Sequence, residues 1–153
     1  MRRLFISDLH LQPERPEITE ALCYFLEEIA PGADELYLLG DIFELWLGDD
    51  HPSSVVDQIA PLLQNLRRSA AIYLMHGNRD FLIGQKVADL MSAELLPSEV
   101  ELDLPQGKAI LLHGDELCTD DHDYQALRRQ LRSPDWQQQF LAKPITERIA
   151  IAR

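Results

Sequence analysis

Thiols are scarce in this sequence: Cys23 and Cys118 are the only cysteines among 153 residues. They form no zinc-type spacing, and no apolar leader precedes them, so neither a disulfide framework nor a cysteine metal site is expected. They read as free thiols of a reducing cytoplasm. Long hydrophobic runs are missing as well. No apolar stretch approaches the roughly 20 residues a helix needs to cross a bilayer, so a soluble or peripheral protein is expected, not an integral one. Glycine is limited to 7 residues, and no low-complexity tract accompanies a 46% hydrophobic content, which argues for one folded core and against disorder.

Positive charge is also short over most of the chain. Residues 1–123 carry 8 Lys/Arg against 24 Asp/Glu, a balance of −16. An acidic body of this kind argues against nucleic-acid partners, which need a basic footprint. Residues 124–153 reverse the sign: Arg128, Arg129, Arg132, Lys143, Arg148 and Arg153 face only Asp135 and Glu147. That tail suits anionic phosphates or an anionic lipid surface.

The apolar pattern predicts strands over 2–7, 35–39 and 71–75. A helix opens at Pro16 and carries Ile18, Leu22, Phe25, Leu26 and Ile29 at helical spacing until Pro31-Gly32. A second helix, capped by Ser53 or Ser54, holds Val56, Ile59, Leu63 and Leu66. A third follows Asp80 and runs to about Ser92. Alternation over 99–104, a turn at 105–108 and an apolar return over 109–112 read as an antiparallel hairpin. From Asp123 onward the pattern is helical, broken at Pro134 and Pro144. Strand–helix alternation followed by a hairpin indicates an α/β chain in which a mostly parallel sheet meets a second sheet.

Metal-ligand side chains stand just after four of these apolar runs: Asp8 and His10, Asp41, Asn78, and His113. Carboxylate and amide oxygens mixed with imidazoles suit divalent ions such as Mn²⁺, Fe²⁺ or Zn²⁺. Asp8 and His10, two apart, would point to one side of an extended chain and share an ion. Asp41, after Gly40, is the natural bridge to a second ion held also by Asn78 and His113. Two such ions clamp a phosphoryl group and supply hydroxide. Singly, each residue is an ordinary turn former; four such loops in series point to phosphoester or phosphoanhydride hydrolysis.

Arg79 narrows the chemistry. A guanidinium stays charged and cannot usefully donate a proton, yet it binds phosphate oxygens bidentately. A phosphate leaving group needs little protonation, so Arg79 fits anhydride cleavage better than alkyl phosphate cleavage. Glu44, Asp49 and Asp50 read as loop structure that orients ligands. Thr119 or Asp120 could cap the next helix, and His51, His76 and His122 carry no assigned role.

The series Asp8-x-His10, Gly40-Asp41, Gly77-Asn78 and His113-Gly114 resembles the calcineurin-like metallophosphoesterase superfamily. The longer strings Phe5–Leu11, Leu39–Asp50, His76–Leu82 and His113–Asp121 resemble its UDP-2,3-diacylglucosamine pyrophosphatase family, over essentially the whole chain. The resemblance implies a metallophosphoesterase β-sandwich flanked by helices, with a core over 1–122 and the start of a helical cap over 123–153. It implies hydrolysis of UDP-2,3-diacylglucosamine to UMP and 2,3-diacylglucosamine 1-phosphate, a step of lipid A biosynthesis, using two Mn²⁺ ions. Asp8, His10, Asp41, Asn78 and His113 would act through metal-activated water. Asn78, Arg79 and Asp121 would contact substrate, and the cap would serve as a lid for acyl chains. The protein would be cytoplasmic and peripheral on the inner membrane. Alternatives are another metallophosphoesterase acting on nucleotides or phosphoproteins, and a non-catalytic metal-binding module. The family's late Gly-His-Thr-His segment is absent here, so the chain is expected to be a fragment of a longer protein.

Overall fold

The computed structural model describes residues 1–152. Its centre is a parallel sheet in the order β1 (Arg3–Ile6), β2 (Glu35–Leu39), β3 (Ala71–Met75), β4 (Glu94–Leu95). The register pairs Phe5 with Tyr37 and Tyr37 with Tyr73. Leu36, Tyr37 and Leu38 are all buried, as a central parallel strand covered on both faces requires.

On one face, Leu36 and Leu38 beside Ile72 and Leu74 join a core with Leu22, Ile59, Leu63, Val87 and Met91 from three helices. These are α1 (Pro16–Tyr24), α2 (Ser54–Leu66) and α3 (Gln85–Leu90). Full burial of each such side chain contributes about 1.5–3 kcal/mol. Pro16 opens α1 at its first turn, and the chain continues as a π-helical turn over Phe25–Ile29. Ser53 caps α2 by accepting the Val56 N–H at 3.2 Å. The third helix starts later than the sequence suggests, because residues 76–84 form a loop closed by side-chain contacts described below.

The opposite face carries an aromatic stack, Phe5–Tyr37–Tyr73, with ring centroids 5.0 and 4.8 Å apart. An antiparallel hairpin, β5 (Glu99–Leu104) and β6 (Gly107–Leu112), reaches β1 through Arg3 Nη1, which donates to the Asp103 carbonyl at 3.3 Å. After a short 3₁₀ turn at Asp115–Leu117 come α4 (His122–Leu131), α5 (Pro134–Leu141) and α6 (Ile145–Ala152), divided at Pro134 and Pro144 as expected. They dock through Trp136, which stacks on Phe140 at 4.9 Å and lies 6.4 Å from Phe81, and through the buried Arg148.

Candidate metal centre

The carboxyl ends of β1, β2, β3 and β6 lead into the four ligand-bearing loops. Asp8 N–H donates to the Gly40 carbonyl at 3.1 Å and His10 N–H to the Asp41 carbonyl at 3.0 Å, so the first two loops remain paired beyond their strands. Asp8 and His10 do converge, but not through an extended backbone. Both are left-handed, at φ 56° and 50°, as is Asp41 at φ 50°. Three non-glycine residues in this sparse region mark a locally strained segment held by its surroundings.

Atoms of Asp8, Asp41 and His113 lie within 4.8 Å of one another. His10 Nε2 is 4.0 Å from Asp8 Oδ1 and 3.8 Å from Asp41 Oδ2. His113 Nε2 is 3.5 Å from Asp41 Oδ2 and 3.0 Å from the Asn78 Oδ1. Thus all five expected ligands meet, with Asp41 common to both subsets. Separations of this size suit donors that each reach about 2.1 Å to a shared ion, and the mixed oxygen and imidazole set fits a divalent one.

Both imidazoles are oriented from behind. His113 Nδ1 donates to the Leu39 carbonyl at 2.8 Å, and His10 Nδ1 pairs with Glu44 Oε2 at 2.9 Å, leaving each Nε2 facing the centre. Glu44 also lies 3.7 Å from Arg79 Nη2. The hydrogen bond to Asp41 pushes His113 up to about 9, against the effect of burial. Burial alone would raise Asp41, but His113 and the Arg79 N–H, 2.8 Å away, hold it below the usual carboxylate range. An ion taken up here must displace the proton on His113.

Asp80 carries a role that its place in the sequence did not reveal. It is fully buried and accepts N–H bonds from Gly77 at 2.8 Å, Asp41 at 3.2 Å, Ile42 at 2.8 Å and Phe43 at 3.3 Å. It therefore stitches the Asp41 loop to the Asn78 loop. Asp49 accepts from Trp46 Nε1 and from the Gly84 and Val87 N–H groups, which fixes the start of α3. His76 donates Nε2–H to the Ile83 carbonyl at 2.7 Å, and burial pushes its pKa down. A carboxylate satisfied by main-chain donors leaves no sequence motif of its own; its spacing from Asn78 is the one signal available.

Arg79 and Asn78 line a cleft of about 210 Å³ with Phe81, Leu131, Arg128 and Arg132. A second cleft of about 410 Å³, walled by Leu11, Phe43, Trp46 and Leu47, opens beside Glu44. Asp121, an expected substrate contact, is exposed and caps α4 by accepting the Tyr124 N–H at 3.0 Å. His122 is the first residue of that helix, and His51 lies exposed in the loop after β2.

A family model described as calcineurin-like phosphoesterase matches residues 1–150. The UDP-2,3-diacylglucosamine hydrolases of Stenotrophomonas maltophilia (strain K279a) and Xanthomonas axonopodis pv. citri (strain 306) are 51% and 49% identical to it, over 100% of this chain and 62% of theirs. The chain therefore spans under two thirds of the length of these relatives. Among solved structures, a protein of unknown function from Aquifex aeolicus, AQ665, shares the fold at a TM-score of 0.54 and 18% identity, over 84% of this chain and 70% of that one.

Proposed function

The chain belongs to the calcineurin-like phosphoesterase family, and from that premise we propose that it is the larger part of a metal-dependent hydrolase that cleaves the pyrophosphate bond of UDP-2,3-diacylglucosamine. The products would be UMP and 2,3-diacylglucosamine 1-phosphate. The observation that carries this reading is the meeting of Asp8, His10, Asp41, Asn78 and His113 beside a cleft lined by three arginines. Relatives at about half identity bear the corresponding hydrolase name.

Asp8, His10 and Asp41 would hold one ion, and Asp41, Asn78 and His113 the other, with Mn²⁺ the proposed metal. When bound, such a pair supplies positive charge to the phosphoryl oxygens and lowers the pKa of water to near neutrality. Glu44 fixes His10, and the Leu39 carbonyl fixes the His113 tautomer, so both ligand atoms are preorganised. Arg79, half-exposed at the mouth of the cleft, binds the phosphate oxygens that become the leaving group and steadies their charge. No proton need reach that group, which is why a guanidinium can stand there. Asp121 would contact the substrate while still capping α4.

The cleft walled by Leu11, Phe43 and Trp46 suits apolar chains. Leu127, Leu141 and Ile151 are exposed on the basic cap, a surface suited to resting peripherally on anionic lipid at the cytoplasmic side of the inner membrane. No helix among the described residues is long and apolar enough to cross a membrane.

The test is release of UMP from UDP-2,3-diacylglucosamine in Mn²⁺, beside phosphate release from a simple monoester. It is run on this chain and on one extended at its C-terminus with residues of a relative. Anhydride cleavage that disappears in Asp41→Asn supports the assignment. Preference for the monoester assigns a different substrate within the family, and ion uptake without turnover in either chain makes this a binding module.

A further inference from the structure

The geometry points to Arg132 as a positioning residue for the Asn78–His113 half of the centre, through which cap helix α4 sets that half's shape. This inference rests on the reading of the site as a divalent-metal centre. Tyr124, Arg128 and Arg132 are spaced by four and share one face of α4 and its end. All three converge on Asp115, two residues beyond His113. Tyr124 Oη donates to Asp115 Oδ2 at 2.6 Å, Arg128 Nε at 2.8 Å, and Arg132 Nη2 lies 4.0 Å away. The other carboxylate oxygen, Asp115 Oδ1, is buried without a partner. Asp115 is thus held chiefly by the cap, and its own backbone neighbours do not satisfy it.

The same Arg132 nitrogen donates to the Gly77 carbonyl at 2.9 Å, and Gly77 immediately precedes Asn78. Its guanidinium sits 5.4 Å over the Phe81 ring, a cation–π contact within the Asn78 loop. One side chain therefore ties the Asn78 loop to the loop that carries His113. The Asp8–His10 half is organised differently: His10 pairs with Glu44, and Ser7 Oγ donates to Asp8 at 2.6 Å. The bonds reaching those two side chains come from the strand-end loops, not from the cap. Disturbing Arg132 should loosen one half of the centre and spare the other.

The experiment is a Zn²⁺ titration of histidine-labelled protein by NMR, because His10 and His113 report on the two halves separately. In Arg132→Met the His113 midpoint should move about tenfold toward weaker binding, the usual effect of losing an outer contact to a metal ligand, with His10 unmoved. Arg132→Lys, which keeps a donor for Gly77, should recover part of the loss, and Tyr124→Phe should give a smaller shift of the same kind. Midpoints that move together, or not at all, overturn the proposal. If wild-type histidines ignore Zn²⁺, the metal reading itself fails. Amide exchange in the metal-free protein then decides the brace: faster exchange at 76–80 and 113–117 in Arg132→Met than in the exposed-site control Arg129→Ala upholds it, and equal exchange refutes it.

Discussion

Arg148 grips Asp50 with both arms of its guanidinium, Nη1 to Oδ1 at 2.7 Å and Nη2 to Oδ2 at 2.8 Å, across 98 residues of sequence. The same buried group donates to the Leu47, Leu141 and Lys143 carbonyls. This clasp ties α6 to the loop that follows Asp41. Arg148→Met leaves those acceptors unpaired and should cost about 2–4 kcal/mol, read as a lower urea midpoint. Asp50→Asn should cost less, about 0.5–1 kcal/mol, because the Asp50 side chain is 60% exposed and screened by water. Equal losses from the two substitutions would mean that the ion pair, not the carbonyl bonds, carries the stability.

Asp80 makes a sharper case. Its two oxygens serve four main-chain donors, so Asp80→Asn presents an NH₂ where N–H groups already point. The expected loss is about 2–4 kcal/mol, with weaker ion binding because the Asp41 and Asn78 loops lose their common anchor. Chemical denaturation together with an ion titration checks both halves of this statement. A destabilised protein that binds ions normally would show that Asp80 supports the fold without shaping the centre.

How far these features can be read from the sequence depends on their range. Strands β1, β2 and β3 are legible because each is an apolar run ending in a ligand, and Ser53 and Pro134 mark helix starts by local chemistry. The hairpin shows in its alternation, and its turn tightens to Pro105-Gln106 with Gly107 already in strand at φ +139°. Three features follow from no local rule. Asp8 and His10 meet through left-handed backbone that no spacing rule supplies. The π-helical turn at Phe25–Ile29 keeps the apolar face that an α-helix would also show. Asp80 and Arg132 act on groups brought near only by folding, so the five side chains that converge were legible as candidates while their supports were not.

Tyr37 predicts an alkaline weakness. Burial, then its hydrogen bond to Glu35 at 3.0 Å, pushes it up to about 12. Its folded pKa lies above the unfolded value near 10. The linked stability is complete below pH 10 and is lost as the pH rises toward 12. Ultraviolet titration should find Tyr37 ionising late, together with Tyr124, which burial and Asp115 also raise. In Tyr37→Phe the alkaline unfolding limb should move to higher pH; an unchanged limb would locate the weakness elsewhere.

Gly40 separates backbone strain from close packing at the centre. It sits at φ +91°, and a Cβ there would come within 2.6 Å of His113 Nδ1 and 2.7 Å of the Gly77 Cα. Gly107 is also in the left-handed half of the map, at φ +139°, but a Cβ there meets nothing within 4 Å. Gly107→Ala should therefore show the conformational cost alone, about 1–2 kcal/mol, with ion binding intact. Gly40→Ala adds an overpacking cost of about 1–3 kcal/mol. It must also push His113 off the Leu39 carbonyl, so that the Nε2 of His113 no longer faces Asp41 and Asn78. Ion binding should fall at least tenfold in Gly40→Ala and not in Gly107→Ala. Should both variants bind ions as wild type does, the close approach of β2, the Asn78 loop and His113 would have no part in forming the centre.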